Sequence, residues 1–154
     1  MEQWYFAYGS NLCRRQMIAR TEHGHFEACR RAKLPKYRLS FNMLDEDGQY
    51  YANILPDSLG CEVEGVLYHC THVALDRLDA FESGYSRMPV LVVDSEGQTV
   101  EAIAYVASNS LIGSIVYPPG RPAEAYVKRI VDGAREHGLG ESIVKAILAA
   151  ARLD

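Results

Sequence analysis

Read for apolar and polar positions, the chain divides into short alternating runs separated by Gly, Pro, Asp and Asn. Trp4-Tyr5-Phe6-Ala7-Tyr8 is continuously apolar and aromatic, as a buried strand requires, and it breaks off into Gly9-Ser10-Asn11. Phe26 to Leu34 and Tyr37 to Met43 predict two further strands, separated by Pro35. Asp45-Glu46-Asp47-Gly48 predicts a turn, after which Tyr50 to Leu55 forms another strand. Glu62 to Cys70 alternates with the period of a half-buried strand, and Gly65 inside it marks a bulge or a close backbone approach. Arg87 to Val93 and Thr99 to Val106 predict a hairpin across Ser95-Glu96-Gly97-Gln98.

Helical spacing occupies the remainder. A first helix covers Cys13 to Arg20, with Asn11 as its expected cap. A second runs from Val73 to Glu82, capped by Thr71 and ending near Ser83-Gly84. Pro122 to His137 and Glu141 to Leu153 predict two C-terminal helices, divided by Gly138 and Gly140, and Ser108 to Gly120 reads as a loop. Strands and helices do not alternate as βαβ units, so the expected class is an α+β fold in a single domain over residues 1–154.

Composition narrows function mainly by exclusion. The chain is 48% hydrophobic and 23% charged, with 16 basic and 20 acidic residues, a balance that leaves no footprint for nucleic acid. Arg30, Arg31, Lys33, Lys36 and Arg38 cluster, but they interleave with Ala32, Leu34, Tyr37 and Leu39 as the solvated faces of strands do. No apolar run reaches membrane-spanning length, and the N-terminus has neither the basic start nor the cleavage site of a signal peptide, so a cytoplasmic protein is expected. Cys13, Cys29, Cys61 and Cys70 show no C-x-x-C spacing and are expected as free thiols. His23-x-His25 and His69-Cys70-Thr71-His72 lack the paired spacings of a tetrahedral metal site, so no metal is expected.

Three segments carry candidate chemistry. The strand, small-residue turn and helix start around Tyr8-Gly9-Ser10-Asn11 can form a pocket of backbone N–H donors for an anion or an oxyanion; the same residues also make an ordinary turn. On a helix from Val73 to Glu82, Ala74, Leu75, Leu78 and Phe81 form one apolar stripe, and Glu82 falls about 20° from Leu75 inside it. A carboxylate on the core side either pairs, works as a general base of raised pKa, or swings into water from a frayed last turn. Tyr126, just after Tyr117-Pro118-Pro119-Gly120, offers a hydroxyl to a ligand or packs as a helix tyrosine.

Together and in this order, these segments resemble the gamma-glutamylcyclotransferase-like family, including its AIG2-like and gamma-glutamylamine cyclotransferase relatives. The matching residues are Tyr5-Phe6-Ala7-Tyr8-Gly9-Ser10-Asn11-Leu12, Leu78-Asp79-Ala80-Phe81-Glu82, and Pro118-Pro119 through Tyr126. Ala52-Asn53-Ile54 with Pro56, Val63-Glu64-Gly65-Val66 and Gly133-Ala134-Arg135-Glu136-His137-Gly138-Leu139 extend the likeness over nearly the whole chain. The chain departs from the family pattern in having Glu82-Ser83-Gly84-Tyr85 where Glu-Gly is common.

The resemblance implies a small mixed β-barrel flanked by helices. It implies Glu82 as the acid/base, with Tyr5, Phe6, Ala7, Tyr8, Gly9, Ser10, Asn11, Leu12 and Tyr126 on the substrate. It also implies a cofactor-independent gamma-glutamyl cyclotransferase releasing 5-oxoproline. Its partner is then a small gamma-glutamyl compound, not nucleic acid or membrane, with a homodimer left open. Two alternatives remain at this stage: a gamma-glutamylamine cyclotransferase, and a non-catalytic module of the same fold that binds a small acidic ligand.

Overall fold

A computed structural model describes residues 2–22, 25–107 and 118–152. Among these, seven strands and four α-helices follow one another: β1 Glu2–Ala7, α1 Arg14–Arg20, β2 Phe26–Pro35, β3 Tyr37–Leu44, β4 Tyr50–Pro56, β5 Glu62–Thr71, α2 His72–Asp79, β6 Tyr85–Asp94, β7 Thr99–Ala107, α3 Glu124–Glu136 and α4 Glu141–Ala151. A single 3₁₀ turn, Ser10–Leu12, joins β1 to α1.

Five strands close into a barrel in the order β1-β5-β2-β6-β7, while β3 and β4 form a separate two-stranded ribbon. Closure comes from a parallel contact between β1 and β7 at Tyr5 and Ile103, whereas the other barrel pairs run antiparallel. This is the mixed barrel of an α+β fold. The aromatic start of the chain explains the strand on which it closes, for Tyr5, Phe6 and Ala7 are all buried. Tyr68 and Leu67 on β5 are fully buried beside them, and burying such side chains is worth roughly 1.5–3 kcal/mol each.

Three expectations hold in detail. The Thr71 hydroxyl accepts the Ala74 N–H at 3.2 Å and caps α2. Gly65 is a close backbone approach, since a Cβ there would lie 2.2 Å from the Ala7 carbonyl oxygen. β6 and β7 form the expected hairpin.

Three expectations fail. The second helix stops at Asp79 instead of Glu82. Beyond it the bonds tighten to i→i+3, with Phe81 N to Leu78 O at 2.9 Å and Glu82 N to Asp79 O at 3.1 Å, so the 100° projection no longer applies. Phe81 is accordingly 54% exposed and lies over the Arg20 guanidinium, 4.9 Å from ring centroid to Cζ. Asn11 does not cap the first helix: Cys13 occupies that position with no side-chain bond, and Asn11 belongs to the 3₁₀ turn. Most of the expected loop, residues 108–117, lies outside the described residues, as does His23.

The helices fix the 3₁₀ turn. α3 packs so closely on it that a Cβ on Gly133 would stand 2.5 Å from the Leu12 carbonyl carbon. The ribbon packs against β5, β7 and α4, which sets β4 opposite the end of β1.

Candidate active site

Glu82 opens a turn that launches β6. Its carbonyl accepts the Tyr85 N–H at 3.0 Å, and Gly84, the third residue of that turn, has φ +87°. That left-handed conformation suits glycine. The turn holds the Glu82 carboxylate beside the 3₁₀ turn, with 14% of its side chain exposed.

Asn11 is the hub of the contact. Its Nδ2 donates to the Tyr5 hydroxyl at 2.9 Å and to Glu82 Oε1 at 3.4 Å. Its Oδ1 accepts from Gln16 Nε2 at 3.0 Å and from Arg20 Nη1 at 3.3 Å. A guanidinium can only donate, so the amide orientation is settled by its partners. Arg20 Nη1 stands 3.8 Å from Glu82 Oε1, an ion pair outside hydrogen-bond distance.

Burial pushes Glu82 up to about 7, against the lowering pull of Arg20 and with a further upward push from Asp79. Desolvation wins because Arg20 stands back from the carboxylate. Burial also holds the hydroxyls of Tyr5, Tyr8, Tyr85 and Tyr126 well above their ordinary range, so each remains a neutral donor.

A small inner pocket of about 40 Å³ is lined by Tyr5, Tyr8, Gly9, Ser10, Asn11, Ala52, Glu82, Tyr85, Tyr105 and Tyr126. It shares Ser10, Glu82, Tyr85 and Tyr126 with a wider cavity of about 800 Å³, whose walls also carry Arg20 and Arg129. Two hydroxyls converge on the Ala52 backbone in β4. Tyr85 donates to its carbonyl at 2.6 Å, and Tyr126 accepts its N–H at 3.0 Å. Tyr5 and Tyr126 thus each accept one bond, and among the described residues no acceptor takes either hydroxyl hydrogen. Both can donate to a ligand.

Gly9 is not left-handed, contrary to what a tight turn would suggest; its φ is −113°. The glycine leaves space instead. A Cβ there would point at the Ala52 Cβ, 3.5 Å away, and the Tyr126 hydroxyl, 3.8 Å away, both walls of the inner pocket.

Of the residues expected on the substrate, Tyr5, Tyr8, Gly9, Ser10, Asn11 and Tyr126 meet around Glu82. Phe6, Ala7 and Leu12 line neither cavity; each has 0% exposure and packs in the core, where the apolar members of the run belong. Glu82 reaches the site from a turn and not from the stripe of a helix. Sequence reasoning missed Arg20, Ala52, Tyr85 and Tyr105. No spacing signalled them: Arg20 reaches Asn11 from the last residue of α1, and the others are brought in by the barrel strands β6 and β7 and the ribbon strand β4. Glu2, Glu27 and His69 gather elsewhere and line neither cavity.

The family described as gamma-glutamyl cyclotransferase, AIG2-like, matches residues 5–127. The gamma-glutamylcyclotransferase of Homo sapiens is 32% identical over 144 residues, covering 88% of this chain and 71% of the human one. That of Mus musculus is 28% identical over 153 residues, covering 94% and 77%. A solved structure described as gamma-glutamyl cyclotransferase superposes with a TM-score of 0.79 at 27% identity, covering 97% of this chain and 88% of its own. No helix among the described residues is long and apolar enough to cross a membrane. With its barrel, its Tyr8–Asn11 turn and a match across most of its length, this chain belongs to the AIG2-like gamma-glutamyl cyclotransferase family.

Proposed function

We propose that the protein is a gamma-glutamyl cyclotransferase in which Glu82 moves the protons. The observation that carries this reading is a carboxyl pushed up to about 7 and sunk in a pocket walled by hydrogen-bond donors. In the reaction, ionised Glu82 takes a proton from the substrate's α-ammonium. The freed amine attacks the γ-carbonyl carbon and forms the ring C–N bond. The tetrahedral intermediate then breaks the bond to the leaving nitrogen, which receives the proton from Glu82. The ring nitrogen gives its second proton to the regenerated carboxylate, which passes it to the departing amine so that it leaves as an ammonium. One ring product, 5-oxoproline, and one amine or amino acid result.

A carboxyl near 7 serves both halves of this cycle, because it is close to evenly divided between base and acid at neutral pH. The Tyr5 and Tyr126 hydroxyls and the amides of the Gly9–Asn11 turn are the donors for the α-carboxylate and for the developing oxyanion. Nucleophile and electrophile belong to one molecule, so holding it folded supplies much of the acceleration, and no metal or cofactor is called for. Arg20 and Arg129 on the outer walls suit a leaving amino acid, whose carboxylate they can meet.

The test is incubation with a panel of gamma-glutamyl amino acids and gamma-glutamyl amines, followed by mass detection of 5-oxoproline. Release from at least one compound is expected. A folded protein that produces no 5-oxoproline from any of them overturns the reading in favour of a binding module.

A further inference from the structure

The carbonyls of Asn11 and Leu12 are held from behind the pocket. Within the 3₁₀ turn, Leu12 N bonds Gly9 O and Cys13 N bonds Ser10 O, both at 3.0 Å, which leaves the next two carbonyls to be met from elsewhere. The Tyr68 hydroxyl, on β5 and fully buried, donates to Asn11 O at 2.9 Å. His137, at the end of α3, places Nε2 2.9 Å from Leu12 O. Neither side chain lines the cavities around Glu82.

The tautomer of His137 follows from its partners. A carbonyl oxygen only accepts, so Nε2 carries the hydrogen. Nδ1 then faces Cys29 Sγ at 3.4 Å. Burial pushes the Cys29 thiol up to about 11, so it keeps its hydrogen and donates to the ring. Tyr68 and His137 also touch one another, with Tyr68 Oη 3.4 Å from Nε2. A strand and a helix end thus hold two successive peptide planes, with the Cys29 thiol behind the His137 ring.

We propose that Tyr68 and His137 are positioning residues. Tyr68 clamps the Asn11–Leu12 peptide and His137 the Leu12–Cys13 peptide that follows it, and through these two peptides they aim the Asn11 amide at Tyr5 and Glu82. Asn11 has little freedom to compensate, since its own carbonyl, its Oδ1 and its Nδ2 are all engaged. If these peptides rotate, the Nδ2 donor leaves Glu82 and Arg20 loses its anchor on Oδ1. Both changes disfavour the ionised carboxylate. Among the described residues, the charged and titratable groups around Glu82 are Arg20 and Asp79, the hydroxyls of Tyr5, Tyr8, Tyr85, Tyr105 and Tyr126, and, on the walls of the wider cavity, Arg129, Asp45, Glu46, Asp47 and Tyr51.

The catalytic consequence rests on Glu82 as the proton-transfer group, but the experiment reads the clamp directly. Tyr68→Phe and His137→Phe each remove one donor; His137→Gln restores an N–H near the Nε2 position. Carboxyl-carbon NMR should show Glu82 titrating about half a pH unit higher in both phenylalanine variants, with His137→Gln returning toward the native value. kcat should fall about tenfold with KM changed less than about twofold, since the loss is in orientation and not in binding. In an Asn11→Ala background, neither phenylalanine substitution should lower kcat further by more than about twofold. Folded variants with native Glu82 titration, or full additive losses in the Asn11→Ala background, overturn the clamp. A native-like kcat in Glu82→Gln would instead fall on the proposed function, leaving the titration result to stand by itself.

Discussion

Asn11 and Glu82, 71 residues apart in the chain, meet through a single hydrogen bond of 3.4 Å from Nδ2 to Oε1. It joins the two segments that the chain devotes to the site, the 3₁₀ turn after β1 and the turn before β6. Through it Nδ2 donates to a carboxyl that burial biases toward its neutral form, so charge at Glu82 is permitted but not favoured.

Glu82→Gln keeps the shape and removes the basicity. The variant should fold and lose turnover by about 100-fold or more, the usual weight of general acid–base catalysis. Asp79→Asn is the milder control, since Asp79 bonds Arg87 and the Tyr105 hydroxyl instead of lining the pocket. Steady-state kinetics on folded protein decide it, and kcat within about threefold of native in Glu82→Gln would remove Glu82 from the mechanism.

Stability should carry the same signature. The folded carboxyl titrates about 7 against an ordinary value of 4.5, so between those values the folded state keeps a proton that the unfolded chain has lost. Stability from this group is complete below the lower value and is lost as pH rises through the upper one. Relative to Glu82→Gln, the native protein should therefore lose about 2–3 kcal/mol between pH 4 and pH 8, after discounting the 14% solvent contact. Urea unfolding of both proteins across that range measures it. A constant difference would mean that the carboxyl is not buried as described.

Gly9 and Gly65 should respond in opposite ways. Gly65→Ala drives a Cβ to 2.2 Å from the Ala7 carbonyl oxygen and should cost about 2–3 kcal/mol of stability. Gly9→Ala meets only ordinary contacts in the protein, at 3.5 and 3.8 Å, so Tm should hardly move. Its methyl group intrudes between Ala52 and Tyr126, however, and should lower kcat/KM about tenfold or more by displacing the substrate. Calorimetry with kinetics on the two variants separates the cases, and unchanged kinetics in Gly9→Ala would leave the turn a purely structural device.

The parts of the site that were legible in sequence are those made by local chemistry. The aromatic run ending in Gly9-Ser10-Asn11, the Thr71 cap and the close approach at Gly65 each follow from one residue's backbone preferences. Glu82 was singled out from a helical projection that ends before reaching it; the resemblance pointed to the same residue, but the structure places it on a turn, where Gly84 takes the positive φ. Tyr85 and Ala52 were not legible, because their roles arise from how the ribbon sits against the barrel, and Arg20 was not, because its role depends on how α1 leaves the 3₁₀ turn. Phe81 shows the cost of carrying 3.6-residue periodicity past a helix end: it faces solvent over Arg20 instead of the core.

The last prediction separates cyclisation from plain amide hydrolysis, which a buried carboxylate can also support by activating water. In the proposed reaction the nucleophile is the α-amine of the gamma-glutamyl unit. Acetylating it delocalises the nitrogen lone pair and removes the ammonium proton that Glu82 accepts. An N-acetylated substrate should therefore give no product even where its carboxylate still binds. A hydrolase has no such requirement, because water attacks whether or not the amine is free. The products differ as well, with 5-oxoproline from cyclisation and glutamate from hydrolysis. Mass detection of both products, from free and blocked substrate, makes the comparison. Release of N-acetylglutamate at a rate near that of the free compound would replace the intramolecular mechanism with a water-activating one. The space left by Gly9 beside Ala52 and Tyr126 would then hold a water and not a folded-back amine.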